Sequence, residues 1–393
     1  NHLEEFGGDG GMKWEKVKLG NVCEITSSKR IFYSEYVDDG VPFYRSKEII
    51  ESDEGKVIEN PLYISVDKYN EIKEKFGIPQ TGDMLLTSVG TIGIPYIIKK
   101  KDCFYFKDGN LTWFRDFREG LNSKYLYYWI KSSEGTGILY NTTIGSSQKA
   151  LTISALKNIK VSLPPRSVQD KIVEVVSAYD DLIENNQKQI KLLEEAAQRL
   201  YKEWFVDLRF PGHENTKIVD SVPEGWRRGL LKELISVNYG KDHKKVPDDG
   251  NIPVYGSGGL MRKCNKSLFS GEAVLIPRKG SLNNIMYVDE TFWTVDTMFY
   301  ATMKQPHTAV FVYFFVKAFD MYSMNIGAAV PSMTTKILDA MDVVIPDKET
   351  LEKFDKYAKV YFNKIKTLQG QNEQLKTARD LLLPKLMSGE VEV

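Results

Sequence analysis

The chain is written twice, and each copy runs into a heptad-patterned segment. Trp14 opens WEKVKLGNV, and Trp226 opens WRRGLLKEL. Gly40-Val41-Pro42-Phe43-Tyr44 answers to Gly250-Asn251-Ile252-Pro253-Val254-Tyr255, and Gly82-Asp83-Met84-Leu85-Leu86 answers to Gly271-Glu272-Ala273-Val274-Leu275. Residues 145–164 then lie over 327–346 without a gap, at a constant offset of 182. A fixed offset signals tandem units, each with its own core, rather than one irregular domain. At 393 residues and 42% hydrophobic content, the chain can supply a core for both.

The heptads are the clearest structural signal. In the first segment Val176, Ile183, Ile190, Ala197 and Trp204 recur at seven residues, with Tyr179, Asn186, Leu193 and Leu200 as the companion row. In the second, Phe354, Tyr361, Leu368, Leu375 and Leu382 recur likewise beside Ala358, Ile365 and Asn372. Apolar rows sustained over four heptads read as a coiled coil, and the return of the second module makes an antiparallel pair the simplest geometry. The alternative is a pair of amphipathic helices lying on globular bodies. Asn186 and Asn372 each interrupt a row, as polar residues that fix register do. Pro165 and Pro346 precede the two helices, and Pro384 predicts the end of the second near residue 383. Residues 167–208 as unbroken helix would span about 63 Å.

Between the heptads the pattern is α+β: two pseudo-repeated α/β globular modules and two long antiparallel coiled-coil helices. Strands are expected at 83–88, 95–98, 273–277 and 285–288, and helices at 123–131 and 308–318; the order of strands in the sheets does not follow from the pattern. The expected divisions are modules at 12–165 and 225–347, helices at 166–210 and 348–393, and a linker at 211–224. Residues 1–11, Gly-rich, acidic and ahead of Met12, are expected to be an added leader. No apolar run approaches a membrane span, and the longest, 310–316, fits a buried helix. Cys23, Cys103 and Cys264 stand singly without metal spacing, which favours a reduced, cytoplasmic setting.

Net charge is zero, so no general basic field attracts a nucleic acid. Residues 12–165 carry 22 Lys and Arg against 19 Asp and Glu, and 222–347 carry 14 against 13, so any DNA contact must come from local clusters. Catalytic signals are lacking. His213, His243 and His307 are scattered, and no P-loop lysine, nucleophile elbow or Gly-rich dinucleotide fingerprint is present. Gly256-Ser257-Gly258-Gly259 reads as a turn. Asp67, Glu71 and Lys73 loosely resemble a nuclease triplet but read better as a solvated helix face. No metal or cofactor is expected.

Readers of duplex sequence need cations for phosphates and amide, hydroxyl or guanidinium groups for base edges. The loops that qualify hold Ser28, Lys29, Arg30, Tyr44, Arg45, Lys47, Ser147, Gln148 and Lys149 in the first copy. In the second they hold Lys241, His243, Lys244, Lys245, Tyr255, Ser257, Arg262, Lys263, Arg278 and Lys279. Tyr44-Arg45-Ser46 and Tyr255-Gly256-Ser257 fall at equivalent places, as do Ser88-Val89-Gly90 and Arg278-Lys279-Gly280. A shared frame with unlike loop side chains suits two modules reading two sequences. Lys99-Lys100-Lys101 either touches phosphate or ends the strand before it.

Three stretches carry a more specific likeness. Residues 192–207 (LLEEAAQRLYKEWFVD), followed by Arg209-Phe210-Pro211-Gly212, resemble the central conserved region of the DNA specificity subunits of type I restriction–modification enzymes. Residues 379–391 (RDLLLPKLMSGEV) resemble their distal conserved region, and Leu163-Pro164-Pro165 with Gln169-Asp170-Lys171-Ile172 resembles the usual start of the first helix. Pro346-Asp347-Lys348-Glu349 departs from that pattern, lacking the second proline and the glutamine. The resemblance implies two target recognition domains on a bipartite site in double-stranded DNA. It also implies helices that set the unread spacer and dock methyltransferase subunits, with S-adenosylmethionine chemistry there and ATP-driven translocation and cleavage in a restriction subunit. The competing classes are a coiled-coil scaffold with protein- or glycan-binding modules, and a self-contained methyltransferase or nuclease.

Overall fold

In the computed structural model, the residue after Pro165 begins a helix of 36 residues, Arg166–Tyr201. The Pro165 carbonyl accepts the N–H groups of Val168 and Gln169 at 2.9 and 3.1 Å, so the helix starts as soon as the proline allows. Gln169, fully buried, ties this start to the module. Its amide donates to Gly120 O and Pro164 O at 2.8 and 2.9 Å, and its carbonyl accepts Asn122 N–H. The end differs from the expected 208. Lys202–Val206 is one π-helical turn, and Leu208, with φ of +56°, ends it. The wider turn seats Phe205 against Phe311 and Phe354, with ring centroids 4.8 Å apart in both pairs.

The second long helix, Lys348–Ser388, passes through Pro384 instead of stopping before it. An internal proline removes one hydrogen bond and crowds a carbonyl, at about 3 kcal/mol. Leu383, just before it, and Leu386 and Met387, just beyond, are at most 5% exposed. Burying such side chains stabilises by roughly 1.5–3 kcal/mol each, and together by more than the proline costs. Gly389, at φ +74°, closes the helix.

The structure describes residues 14–56, 58–145, 149–324 and 332–393. Two units divide it: one up to residue 186 together with 370–393, the other 187–369. In the first, Glu15–Lys18 pairs antiparallel with Lys160–Leu163. A four-stranded antiparallel sheet runs in the order Glu24–Thr26, Leu111–Arg115, Met84–Thr87, Pro95–Ile97. A second sheet runs Tyr36–Val37, Leu62–Ile64, Val41–Tyr44, Tyr105–Phe106, with its last pair parallel. Helix Ser123–Lys131, found at the expected residues, buries Tyr125, Leu126 and Trp129 in the core, which the helix residues Ile172, Val173, Val176, Leu383 and Leu386 complete.

The second unit repeats this topology. Arg227–Leu230 pairs with Asp342–Ile345, and one sheet orders Ile235–Tyr239, Met298–Met303, Phe269–Pro277, Met286–Thr294, Ile252–Gly256, Gly259–Cys264. Met286–Thr294 does the work of two strands. It pairs with Phe269–Pro277 along its length and, at Trp293 and Thr294, runs parallel to Ile252–Gly256. In the first unit those tasks are split between Pro95–Ile97 and Tyr105–Phe106. The Lys99–Asp102 turn, where Asp102 accepts Lys99 N–H at 2.8 Å, interrupts the strand; the three lysines thus lie in and beside a turn.

The repeated glycines have a physical reason. A Cβ at Gly40 would collide with the carbonyl of Ile64, and one at Gly250 with that of Cys264, each on the neighbouring antiparallel strand. The caps repeat as well: Thr152 accepts Ala155 N–H and Thr334 accepts Ile337 N–H, 182 residues apart. Helix Ala309–Lys317 holds the longest apolar run and is buried on nearly every side. No described helix is long and apolar enough to cross a membrane.

Candidate nucleic-acid interface

Three loops of the second unit converge at one edge of its sheet. Arg278 N–H donates to Thr297 O at 2.8 Å, and its guanidinium donates to Asp296 O while lying over the rings of Tyr239 and Phe299. Gly280, at φ +83°, leaves room for Ser257, whose carbonyl accepts the Asn284 amide at 2.9 Å. Arg262 reaches over the neighbouring loop and donates to the carbonyls of His243 and Val246 at 2.6 and 2.9 Å. The carbonyl of Lys241 accepts Trp293 Nε1. Arg262 is therefore spent on holding a loop, while Arg278 commits one N–H to the same work. The exposed cations at this edge are Lys241, Lys244, Lys245, Lys263 and Lys279. Tyr255 turns inward, its hydroxyl donating to Glu290 at 2.6 Å; burial first, and then that carboxylate, raise its pKa.

In the first unit, Lys29 N–H donates to the Tyr105 hydroxyl at 2.7 Å, and the Lys29 ammonium sits 4.4 Å from the centre of Phe76. Arg30 pairs with Asp108 at 2.9 Å, and Ser28 is buried beside them in sequence. Tyr44 stacks on Phe104, and its carbonyl accepts Lys107 N–H, so residues 28–30, 44 and 105–108 come together. Arg45 and Lys47 turn back on their own helix. Arg45 pairs with buried Glu48 at 2.6 Å, and Lys47 lies 3.7 Å from Glu51. Desolvation raises the Glu48 pKa, but Arg45 outweighs it and holds the carboxyl below its ordinary value. Lys149 stands 3.5 Å from the centre of the Tyr140 ring and lowers the pKa of that phenol. Ser147 and Gln148 lie outside the described residues.

The two edges share a backbone scaffold. Ser88 N–H donates to Asn110 O and Ser88 O accepts Leu151 N–H, both at 2.8 Å; Arg278 does the same with Thr297 and Met333, at 2.8 and 2.9 Å. The equivalence of Ser88 and Arg278 is thus structural. Yet Ser88 is buried, its hydroxyl 2.7 Å from that of Thr112, while Arg278 faces outward over two rings. Tyr140 and Tyr322 escaped the sequence reading. They are 182 residues apart, 62% and 44% exposed, and both border these loops, Tyr322 donating to Gly280 O at 2.8 Å. Carrying the fixed offset a few residues upstream of 145 would have found them.

Along the helices no predicted pairing residue is exposed. In the first unit Asp180 meets Arg379 at 2.5 Å and Asn186 meets Asn372 at 2.9 Å; one number rises as the other falls, so the helices run antiparallel. Val176, Ile183, Asn186 and Asn372 are buried there, and Tyr179, Leu375 and Leu382 half-buried. In the second unit Phe354, Ile365 and Leu368 are buried, with Ile190, Leu193, Leu200 and Tyr361 half-buried, and Trp204 packs on Phe354 and Tyr357. Asp67, Glu71 and Lys73 lie on helix Val66–Phe76, where Glu71 pairs with Lys68 and Lys75. His307 pairs with Asp355 at 2.8 Å, and Asp355 also holds Lys359. Among the described residues no group of three or more His, Cys, Asp and Glu is placed to hold a metal ion.

Comparison with known proteins agrees with this architecture. The chain is 26% identical to the type I restriction enzyme MjaIX specificity subunit of Methanocaldococcus jannaschii, covering 97% of this chain and 94% of that protein. It is 28% identical to a putative type I restriction enzyme specificity subunit of Haemophilus influenzae, over 47% of this chain and 45% of the relative. The crystal structure of the type I restriction–modification S subunit from M. genitalium superposes with a TM-score of 0.61 at 17% identity, over 97% of this chain and 98% of that one. Residues 12–195 and 223–377 both match the type I restriction modification DNA specificity domain, and the chain belongs to that family.

Proposed function

We propose that this chain is a non-catalytic DNA-reading subunit of a type I restriction–modification complex. The modules at 12–165 and 225–347 each meet one half of a split site in double-stranded DNA. The long helices set the unread spacer and dock methyltransferase subunits, and a restriction and translocation subunit joins through that complex. The supporting observation is the matched frame around Ser88 and Arg278, which repeats its hydrogen bonds and changes its side chains. Phosphate contacts from rim lysines would position each module, and the unlike loop groups would discriminate bases.

Selection from a random duplex library by the full chain with its methyltransferase subunits tests the reading, followed by fluorescence anisotropy across salt. The expected product is a split, asymmetric sequence. With about six phosphates contacted, affinity should fall roughly a thousandfold between 50 and 200 mM salt. No enriched sequence and a flat salt response would favour a scaffold that binds proteins or glycans. Methyl transfer or cleavage by the chain alone would refute the non-catalytic assignment.

A further inference from the structure

The hairpin of Ile252–Gly256 and Gly259–Cys264 carries two large apolar side chains at its tip, Leu260 and Met261, 59% and 53% exposed. Neighbouring strand residues point to opposite faces, so such a pair ordinarily leaves one side chain covered. Here the register shifts between Val254 and Tyr255, Met261 is the extra residue, and both side chains stay more than half exposed. Lone exposed apolar groups need no explanation, but an adjacent pair beside the turn of a ribbon does.

The ribbon is held firmly. The Asn284 amide fastens the turn at Ser257 O, Arg262 ties the returning strand to the carbonyls of His243 and Val246, and Met261 packs on Gly256. Lys263 is exposed on the ribbon itself, and Lys241, Lys244, Lys245 and Lys279 are exposed on the loops it is tied to. The nearby acids are partly engaged, Asp242 accepting Lys244 N–H and Asp249 the Asn265 amide. An apolar point on a ribbon tied to lysine-bearing loops complements a duplex, which offers phosphates outside and a stack of aromatic bases within. A two-stranded ribbon fits a groove, and leucine or methionine can enter a base step and unstack it. In the first unit the antiparallel partners Val41–Tyr44 and Leu62–Ile64 are joined through helix Ser46–Asp53 instead of a tight turn.

Resting on the reading above, we propose that Leu260, with Met261, is a wedge that enters one base step of the half-site read by the second module. The duplex recovered by selection is remade with 2-aminopurine at each position in turn and bound by the full chain with its methyltransferase subunits. One step in the second half-site should brighten severalfold. In the double variant Leu260→Ser, Met261→Ser that signal should vanish and affinity fall about tenfold, while Leu260→Phe should keep the signal. An equal thermal melt shows that the variants fold. The wedge is overturned if no step brightens with the natural chain, or if the signal survives the double variant and so belongs to a base extruded by a partner subunit. Failure to recover any split site would instead count against the DNA-reading function.

Discussion

Asp347 shows how one side chain sets the start of a helix that the sequence left ambiguous. Its carboxylate accepts Thr350 N–H at 2.9 Å, Thr350 Oγ1–H at 2.7 Å and Trp226 Nε1–H at 2.9 Å. Burial alone would raise its pKa, but these donors outweigh it and hold it below the usual carboxylate value. A depressed folded pKa contributes stability that is present above the unfolded value, about 3.9, and is lost as pH falls through the folded one. Asp347→Ala should therefore cost about 1–2 kcal/mol at pH 7, as lost caps do. The difference from the natural chain should shrink below about pH 4. Urea denaturation of the full chain at both pH values measures this, and an equal cost at low pH would show that the carboxylate charge is irrelevant. The arginines show where residue-level reading stopped. Arg262 was a candidate for DNA, yet its partners are backbone carbonyls 19 and 16 residues away, which no local pattern announces.

At the scale of elements, the heptads carried most of what was legible, because a seam is a local property of spacing. Asn186 and Asn372 stood out as polar interruptions, and they are hydrogen-bonded and buried within the first unit. Replacing one partner leaves the other amide buried without a donor or acceptor. Asn186→Leu should then cost about 1–3 kcal/mol, whereas Asn186→Leu with Asn372→Leu should recover most of it and loosen the register. A double-mutant cycle by chemical denaturation reads the coupling; simple additivity would mean that the pair contributes nothing as a pair. The π-turn at Lys202–Val206 and the passage through Pro384 were not legible, since both depend on what the helix ends bury rather than on helix propensity. Strand order was not legible either. The parallel contact of Tyr44 with Phe106 joins residues 62 apart, and alternation within a strand does not name its neighbour.

For the whole molecule, the proposed reading of one half-site by each module makes specificity separable into parts. Exchanging residues 12–165 for the module of a relative should change one half of the selected sequence and leave the other intact. Spacer length is the sharper question, because it belongs to neither module. If the helices joining the units set it, an added heptad in each should lengthen the unread DNA without disturbing the seam, since seven residues preserve an apolar row. Seven residues add about 10 Å of helix, roughly three base pairs at 3.4 Å each. The insertions belong after Lys188 in the first helix and after Gln369 in the second, clear of the Asn186–Asn372 pair and of both module cores. Repeating the selection with this chain should return the same two half-sites separated by about three more base pairs. Unchanged spacing would mean that the DNA-facing distance is fixed by the partner subunits, and the helices serve only as their dock.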